Sequence, residues 1–233
     1  MSKLIFFGTP EFAVPILKKL FESKHFIQCV YTQPPKKSNR GQKVTKSKVQ
    51  KISEDLKINL RTPLELRDNL EEYEFIKNLK SDLAIVVAYG QKIPKIFLDL
   101  PKKGFINIHA SILPKYRGAA PIQRSIMNLE KKTGISLMRM TEQLDSGPVC
   151  ARYEMDIKAE YNFEKLSRDL SNLASEKIID NINNIFDNNI EFINQDHSEA
   201  TYAGKIEKNE SLINWNISAE SLLGKINGLY PNP

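Results

Sequence analysis

Short apolar runs and amphipathic stretches alternate along most of this chain. Leu4-Ile5-Phe6-Phe7 is continuously apolar, the pattern of a strand covered on both faces. Gly8-Thr9-Pro10 then turns the chain, with Thr9 placed to cap a helix and Pro10 at its first position. Phe12, Ile16 and Leu20 follow at helical spacing and give that helix one apolar face. A second strand is predicted over 28–32, and a helix through Val49, Ile52 and Leu56. The strongest strand is Leu83-Ala84-Ile85-Val86-Val87-Ala88, which belongs at the centre of a sheet. A short helix over 93–98 leads to the strand Phe105-Ile106-Asn107-Ile108. A helix over 120–129, strands over 135–140 and 149–157, and a long helix over 163–186 complete the series.

Strands alternating with helices imply βαβ units and a Rossmann-like α/β fold, a doubly wound and mostly parallel sheet. The first turn, Gly8-Thr9-Pro10-Glu11-Phe12-Ala13, lacks the G-x-G-x-x-G dinucleotide fingerprint. After about Asn189 the chain becomes polar and poor in core residues, which predicts a linker. Ser218 then caps one more helix running to Leu229.

Composition changes this picture little. Of 233 residues, 41% are hydrophobic and 27% charged, the balance of an ordinary globular chain. No run of about 18 apolar residues exists, so no membrane span is expected. The N-terminal apolar run is too short for a secretory signal, and a cytoplasmic monomer is the default expectation. Cys29 and Cys150 lie in strand-like segments, where free thiols are favoured over a single disulfide. No cysteine or histidine cluster suggests a metal site.

Charge is more informative. The net charge is +6, and between Lys36 and Lys51 stand seven basic residues and no acidic one. Such a block either solvates a loop or meets phosphates.

The residues most suited to chemistry follow the strand at Phe105. Asn107, His109 and Ser111 alternate, so period-2 geometry sends them to one side of the strand as it enters the loop Ile112-Leu113-Pro114-Lys115-Tyr116-Arg117-Gly118. Ligands bind at the carboxyl ends of strands in open α/β sheets. An imidazole moves protons near neutral pH, and an amide donates to a developing oxyanion. Asp145 precedes Ser146-Gly147-Pro148, where it serves either chemistry or an Asx-turn. His25 and His197 read as structural, and Arg117 as an anchor for its loop.

Taken together, these blocks resemble the methionyl-tRNA formyltransferase family over essentially the whole chain. Phe6-Phe7-Gly8-Thr9-Pro10-Glu11-Phe12-Ala13 is similar to its opening strand and turn. Thr32-Gln33-Pro34 and the basic stretch after it resemble its transfer-RNA-binding insertion. Val86-Val87-Ala88-Tyr89-Gly90 resembles the strand beneath its folate pocket. Asn107 to Gln123, with Leu144-Asp145-Ser146-Gly147, is similar to its catalytic signature. One departure is that Ser38-Asn39-Arg40-Gly41 has asparagine where the family's loop usually carries glycine.

The resemblance implies transfer of a formyl group from 10-formyltetrahydrofolate to the α-amine of methionyl-tRNA, without a metal. Asn107, His109 and Asp145 would be catalytic: Asn107 as oxyanion donor, and His109, held by Asp145, in proton movement. Ala88, Tyr89, Gly90, Ser111, Ile112, Leu113 and Pro114 would form the folate pocket. Lys36, Lys37, Arg40 and Lys43 would contact the transfer RNA. The implied organisation is a formyltransferase catalytic domain over 1–189, a linker over 190–209 and, over 210–233, the truncated start of a C-terminal domain that is otherwise absent. The alternatives are a sugar-nucleotide N-formyltransferase using the same donor, and a catalytically weak folate- or RNA-binding module.

Overall fold

The computed structural model describes residues 1–38 and 43–232, with the side chains of Lys37, Ser38 and Lys43 left out. Strand β1 (Lys3–Gly8) leads through a 3-10 turn (Glu11–Ala13) into α1 (Val14–Phe21), followed by β2 (Phe26–Tyr31). A small antiparallel pair, β3 (Lys36–Ser38) and β4 (Lys43–Thr45), rises from the basic stretch. Then come α2 (Lys48–Asp55), β5 (Leu60–Arg61), α3 (Leu70–Leu79), β6 (Leu83–Val87), α4 (Lys95–Leu98) and β7 (Phe105–His109). The series closes with α5 (Pro121–Met127), β8 (Lys132–Arg139), β9 (Val149–Asp156), α6 (Phe163–Phe186) and α7 (Ala219–Leu229).

The main sheet has seven strands in the order β5-β2-β1-β6-β7-β8-β9, with β6 at its centre. The strands run parallel as far as β7, and β8 and β9 are antiparallel additions. Alternate residues of each inner strand feed opposite cores. Leu4, Phe6, Ile85, Ile106 and Ile108 pack under α1, α5 and α6, while Ile5, Phe7, Val86 and Phe105 pack under α3 and α4. Both sets are buried, which is why these strands read as unbroken apolar runs. Truncating Phe6 or Phe7 to alanine would cost about 3–5 kcal/mol by cavity formation.

Three local expectations are corrected. Thr9 does not cap a helix: its hydroxyl donates to Tyr89 O at 2.7 Å, and the 3-10 turn begins after Pro10 without a side-chain cap. A tertiary partner outbids the local one. The helix expected from 93 spans only Lys95–Leu98, because Pro94 precedes it in extended backbone. The basic stretch expected as a loop contains the β3–β4 pair. Helix α3 and the two-residue β5 were not foreseen.

Residues 190–209, expected as a linker, are fastened along their length to the sheet domain. Ile193 pairs with Val149, and Tyr202 bridges to Arg117. The Arg124 guanidinium donates to Gly204 O, Lys205 O and the Glu210 carboxylate, at 2.6–3.2 Å. That cation holds the Glu210 carboxyl down at about 2. Beyond this strap, α7 lies against α5. A Cβ at Gly224 would come within 2.7 Å of Leu129, and one at Gly228 within 2.6 Å of Met127. Two helical glycines, each costing about 0.5–1 kcal/mol, let the pair approach this closely.

No described helix is long and apolar enough to cross a membrane. Cys29 and Cys150 are free thiols; burial pushes them up to about 12 and about 11.

Candidate active site

Strand β7 presents Phe105, Asn107 and His109 on one face and Ile106 and Ile108 on the other, as the period predicts. Asn107 and His109 open into a cavity of about 480 Å³ at the carboxyl end of the central strands. Asp145 reaches the same cavity by another route. The chain leaves β8 beside Phe105, where Met140 N–H donates to Phe105 O at 2.8 Å, and re-enters at Val149 opposite Met138. The loop between carries Asp145 back onto the β7 face.

The three polar side chains converge. Asn107 Nδ2 donates to Asp145 Oδ1 at 3.4 Å. The other carboxylate oxygen, Oδ2, accepts from Gly118 N–H at 2.8 Å and lies 3.7 Å from His109 Nδ1. His109 Nε2 lies 2.8 Å from Tyr116 O, and because a carbonyl only accepts, the ring proton sits on Nε2. Nδ1 is then the nitrogen that lies toward the carboxylate. His109 and Asp145 are both nearly closed to solvent. Asp145 itself has φ +46°, a left-handed conformation that costs roughly 1–3 kcal/mol and that the surrounding loops must hold.

The turn after β6 forms the floor. Ala88 and Gly90 both have left-handed φ, at 47° and 79°. Tyr89 O accepts from Thr9 Oγ1 and from Gln33 Nε2, the latter at 3.2 Å, which ties the ends of β1, β2 and β6 together. Gln33 Oε1 in turn accepts from Lys36 Nζ at the root of the basic hairpin. The Tyr89 ring packs edge-on against Phe7, and burial raises its hydroxyl above the usual phenolic range. Phe12, Ile122 and Phe163 give the cavity apolar walls.

The structure brings Asn107, His109, Asp145, Ala88, Tyr89 and Gly90 to one cavity. Ser111, Ile112, Leu113 and Pro114 are not on its lining. Strand pairing stops at His109, so the alternation expected to carry Ser111 to the same side ends one step too early. The Ser111 hydroxyl donates to Lys115 O at 2.6 Å and shapes the loop. Ile112, Leu113 and Pro114 face a second cavity, of about 520 Å³, with Glu130 and Arg152. Lys36 stands at the hairpin root beside the floor turn, Lys37 and Lys43 are placed by backbone alone, and Arg40 lies outside the described residues.

His197 lies against Arg117, its Nδ1 3.2 Å from the guanidinium, as the structural reading of that histidine anticipates. No group of histidine, cysteine or acidic residues placed to hold a metal ion occurs among the described residues. Sequence reasoning missed two backbone groups and one side chain: the Tyr116 carbonyl, the Gly118 amide and Gln195. Main-chain groups leave no mark in side-chain identity, and Gln195 sits in a polar stretch that gives no sign of burial.

The formyl transferase family pattern matches residues 2–182. The chain belongs to the formyl transferase family. It is 62% identical over 232 residues to a methionyl-tRNA formyltransferase of Pelagibacter ubique, covering all of this chain and 75% of that one. A methionyl-tRNA formyltransferase of Dictyoglomus thermophilum is 42% identical, with 99% and 74% covered. Among solved structures, an N-formyltransferase from Helicobacter canadensis in complex with folinic acid and dTDP-3-aminofucose superposes with a TM-score of 0.75 at 22% identity, over 98% of this chain and 80% of that one. At that identity the likeness shows the fold alone.

Proposed function

We propose that this formyltransferase moves the formyl group of 10-formyltetrahydrofolate onto the α-amino group of initiator methionyl-tRNA, acting as a monomer in the cytoplasm. One observation carries the reading. Asn107, His109 and Asp145 surround one cavity in a chain that is 62% identical, over 75% of that relative's length, to a protein named for that activity. The proposed organisation is a catalytic domain over 1–189 joined by the strap at 190–209 to a C-terminal portion.

The cavity suits a flat heterocycle. Its volume of about 480 Å³ falls in the usual range for small-molecule sites, and its walls are mainly apolar. The main chain of Ala88, Tyr89 and Gly90 would hold the folate ring. Tyr89 O is already taken by Thr9 and Gln33, so contact falls to other groups of that turn. Bound there, the folate supplies an activated formyl carbon.

The chain's own groups do the rest. Asn107 Nδ2 carries two protons, and one points at Asp145. The other would donate to the formyl oxygen as negative charge gathers on it. His109 Nδ1 carries no proton while Nε2 donates to Tyr116 O, so it can take the proton the attacking amine releases. Held on Nδ1, 3.7 Å from Asp145 Oδ2, that proton would then pass to the folate nitrogen as its bond to the formyl carbon breaks, so that tetrahydrofolate leaves as the neutral amine. The attacking amine needs little activation, since free α-amino groups titrate near about 7.7–8.0. Lys36, which donates to Gln33 at the cavity floor, would meet the acceptor end of the RNA together with Lys37, Arg40 and Lys43.

The deciding experiment offers the protein 10-formyltetrahydrofolate with either charged initiator transfer RNA or an amino-sugar nucleotide. Formylated methionyl-tRNA is expected. Formylation of the sugar alone overturns the proposal, and equal rates for wild type and His109→Ala overturn its catalytic part.

A further inference from the structure

Asp145 is held from behind by a side chain that the reaction itself does not call for. Gln195 comes from the strap, 50 residues further along the chain, and is buried. Its Nε2 donates to Asp145 O at 2.9 Å and to Gly147 O at 2.7 Å. Its Oε1 accepts from Arg117 Nε at 3.1 Å and from Arg117 Nη2 at 2.8 Å. Arg117 is also buried, and no carboxylate lies within ion-pair distance of it among the described residues. One carboxamide thus spans two loops: its acceptor end holds the loop of Tyr116, Arg117 and Gly118, and its donor end holds the loop of Asp145 and Gly147.

Those two loops supply the groups that orient the acid–base pair. Tyr116 O sets the His109 ring proton, and Gly118 N–H holds Asp145 Oδ2. The strap main chain reinforces the first loop through Arg117 N–H to Thr201 O at 2.8 Å and Ala203 N–H to Arg117 O at 2.7 Å. Among the described residues, only Gln195 reaches from the strap to the second loop's carbonyls at 145 and 147. The left-handed backbone of Asp145 needs such a restraint, because a free aspartate would leave that conformation. The chemistry of the site admits few substitutes: the position needs two N–H donors and an acceptor on one stem. Glutamate lacks the donors and asparagine lacks the reach.

We infer that Gln195 is a positioning residue for formyl transfer, setting the Asp145 carboxylate against His109 and Asn107 through its grip on the Asp145 main chain. The inference rests on the functional reading above, and the test separates the two. Gln195→Met and Gln195→Glu are made in the wild type and in an Asp145→Asn background. Each is assayed for kcat and for KM toward both substrates. Gln195→Met removes both ends of the clamp; Gln195→Glu keeps an acceptor for Arg117 but sets a carboxylate against two carbonyls, so it carries the test if the methionine variant fails to fold.

In the wild-type background both variants are expected to lower kcat by about 10–100-fold with KM nearly unchanged, the effect of a misplaced catalytic group. In the Asp145→Asn background the same changes are expected to cost less than about threefold, because coupled positions do not add. An equal loss in both backgrounds overturns the inference, as does wild-type kcat in Gln195→Glu, or an effect confined to KM. A wild type without formyl transfer would instead sink the functional reading.

Discussion

His109 Nδ1 and Asp145 Oδ2 face each other across 3.7 Å, an ion-pair separation rather than a hydrogen bond, with the carboxylate's nearer donor being Gly118 N–H. The carboxylate is thus held by the Gly118 main chain and by the Asn107 amide, and it attracts the imidazole only when Nδ1 carries a proton. Removing the imidazole with His109→Ala is expected to lower kcat by about 10²–10⁴-fold, the usual worth of acid–base help. Asn107→Ala is expected to cost about 10²–10³-fold, as for other oxyanion donors. Steady-state formylation kinetics check both; a large rise in KM with kcat intact would mean these residues bind rather than react.

Gly118 cannot accept a side chain. Its φ is +117°, and a Cβ there would stand 2.7 Å from Ala203 O in the strap. Gly118→Ala should lose about 1–3 kcal/mol of stability, read from denaturant midpoints, because the backbone is strained and the strap must shift. Activity should fall as well, since the same residue's N–H holds Asp145.

The basic hairpin should be separable from the chemistry. Neutralising Lys36, Lys37, Arg40 and Lys43 together should raise the KM for transfer RNA and flatten its salt dependence by up to about 0.9 log units per duplex phosphate lost. Folate binding should be little altered. An unchanged salt slope would remove the hairpin from RNA recognition.

His25 gives the fold an acid-sensitive point. Both ring nitrogens are buried without a hydrogen-bond partner, and the ring packs against Phe186. Burial lowers its pKa, with Lys24 and the N-terminal amine adding to the effect; Asn183 pulls the other way without a bond of ordinary geometry. The unfolded chain therefore binds a proton that the folded chain refuses. Stability from this group is present above about pH 6.5 and declines as pH falls toward the lowered folded value. Urea midpoints between pH 5 and 8 should show that decline, and His25→Phe should flatten it.

The two thiols should be silent in the native protein. With Cys29 held up at about 12 and Cys150 at about 11, neither forms appreciable thiolate at pH 8. Iodoacetamide should label neither until denaturant is added. Fast native labelling of Cys29 would contradict its burial in the sheet.

Where the sequence was legible, one physical force decided the local structure. Leu83 to Val87 is apolar because both faces are covered, and α6 runs from Phe163 to Phe186 because its apolar stripe and the Asn162 cap agree. Helix α3 was obscured because one of its two buried residues is Glu72, a carboxylate satisfied by the Tyr31 hydroxyl at 2.6 Å and Arg61 Nε at 2.7 Å. A charged residue in the apolar face breaks the pattern that reading relies on. Asn107, His109 and Asp145 could be picked out because the side chains that line the cavity are polar groups suited to proton and oxyanion chemistry. The turn of Ser111 to Pro114 away from the cavity could not, since it depends on where strand pairing ends. Gln195 was equally hidden, its burial being decided by Arg117 and by two carbonyls far away in the chain.

The site draws on residues 107, 118, 145 and 195, and its strap closes only at Ala203. A polypeptide emerging from the ribosome finishes its central strands long before residues 190–203 appear. During synthesis the sheet can therefore exist with an idle centre, and competence arrives as a late, single event when the strap docks.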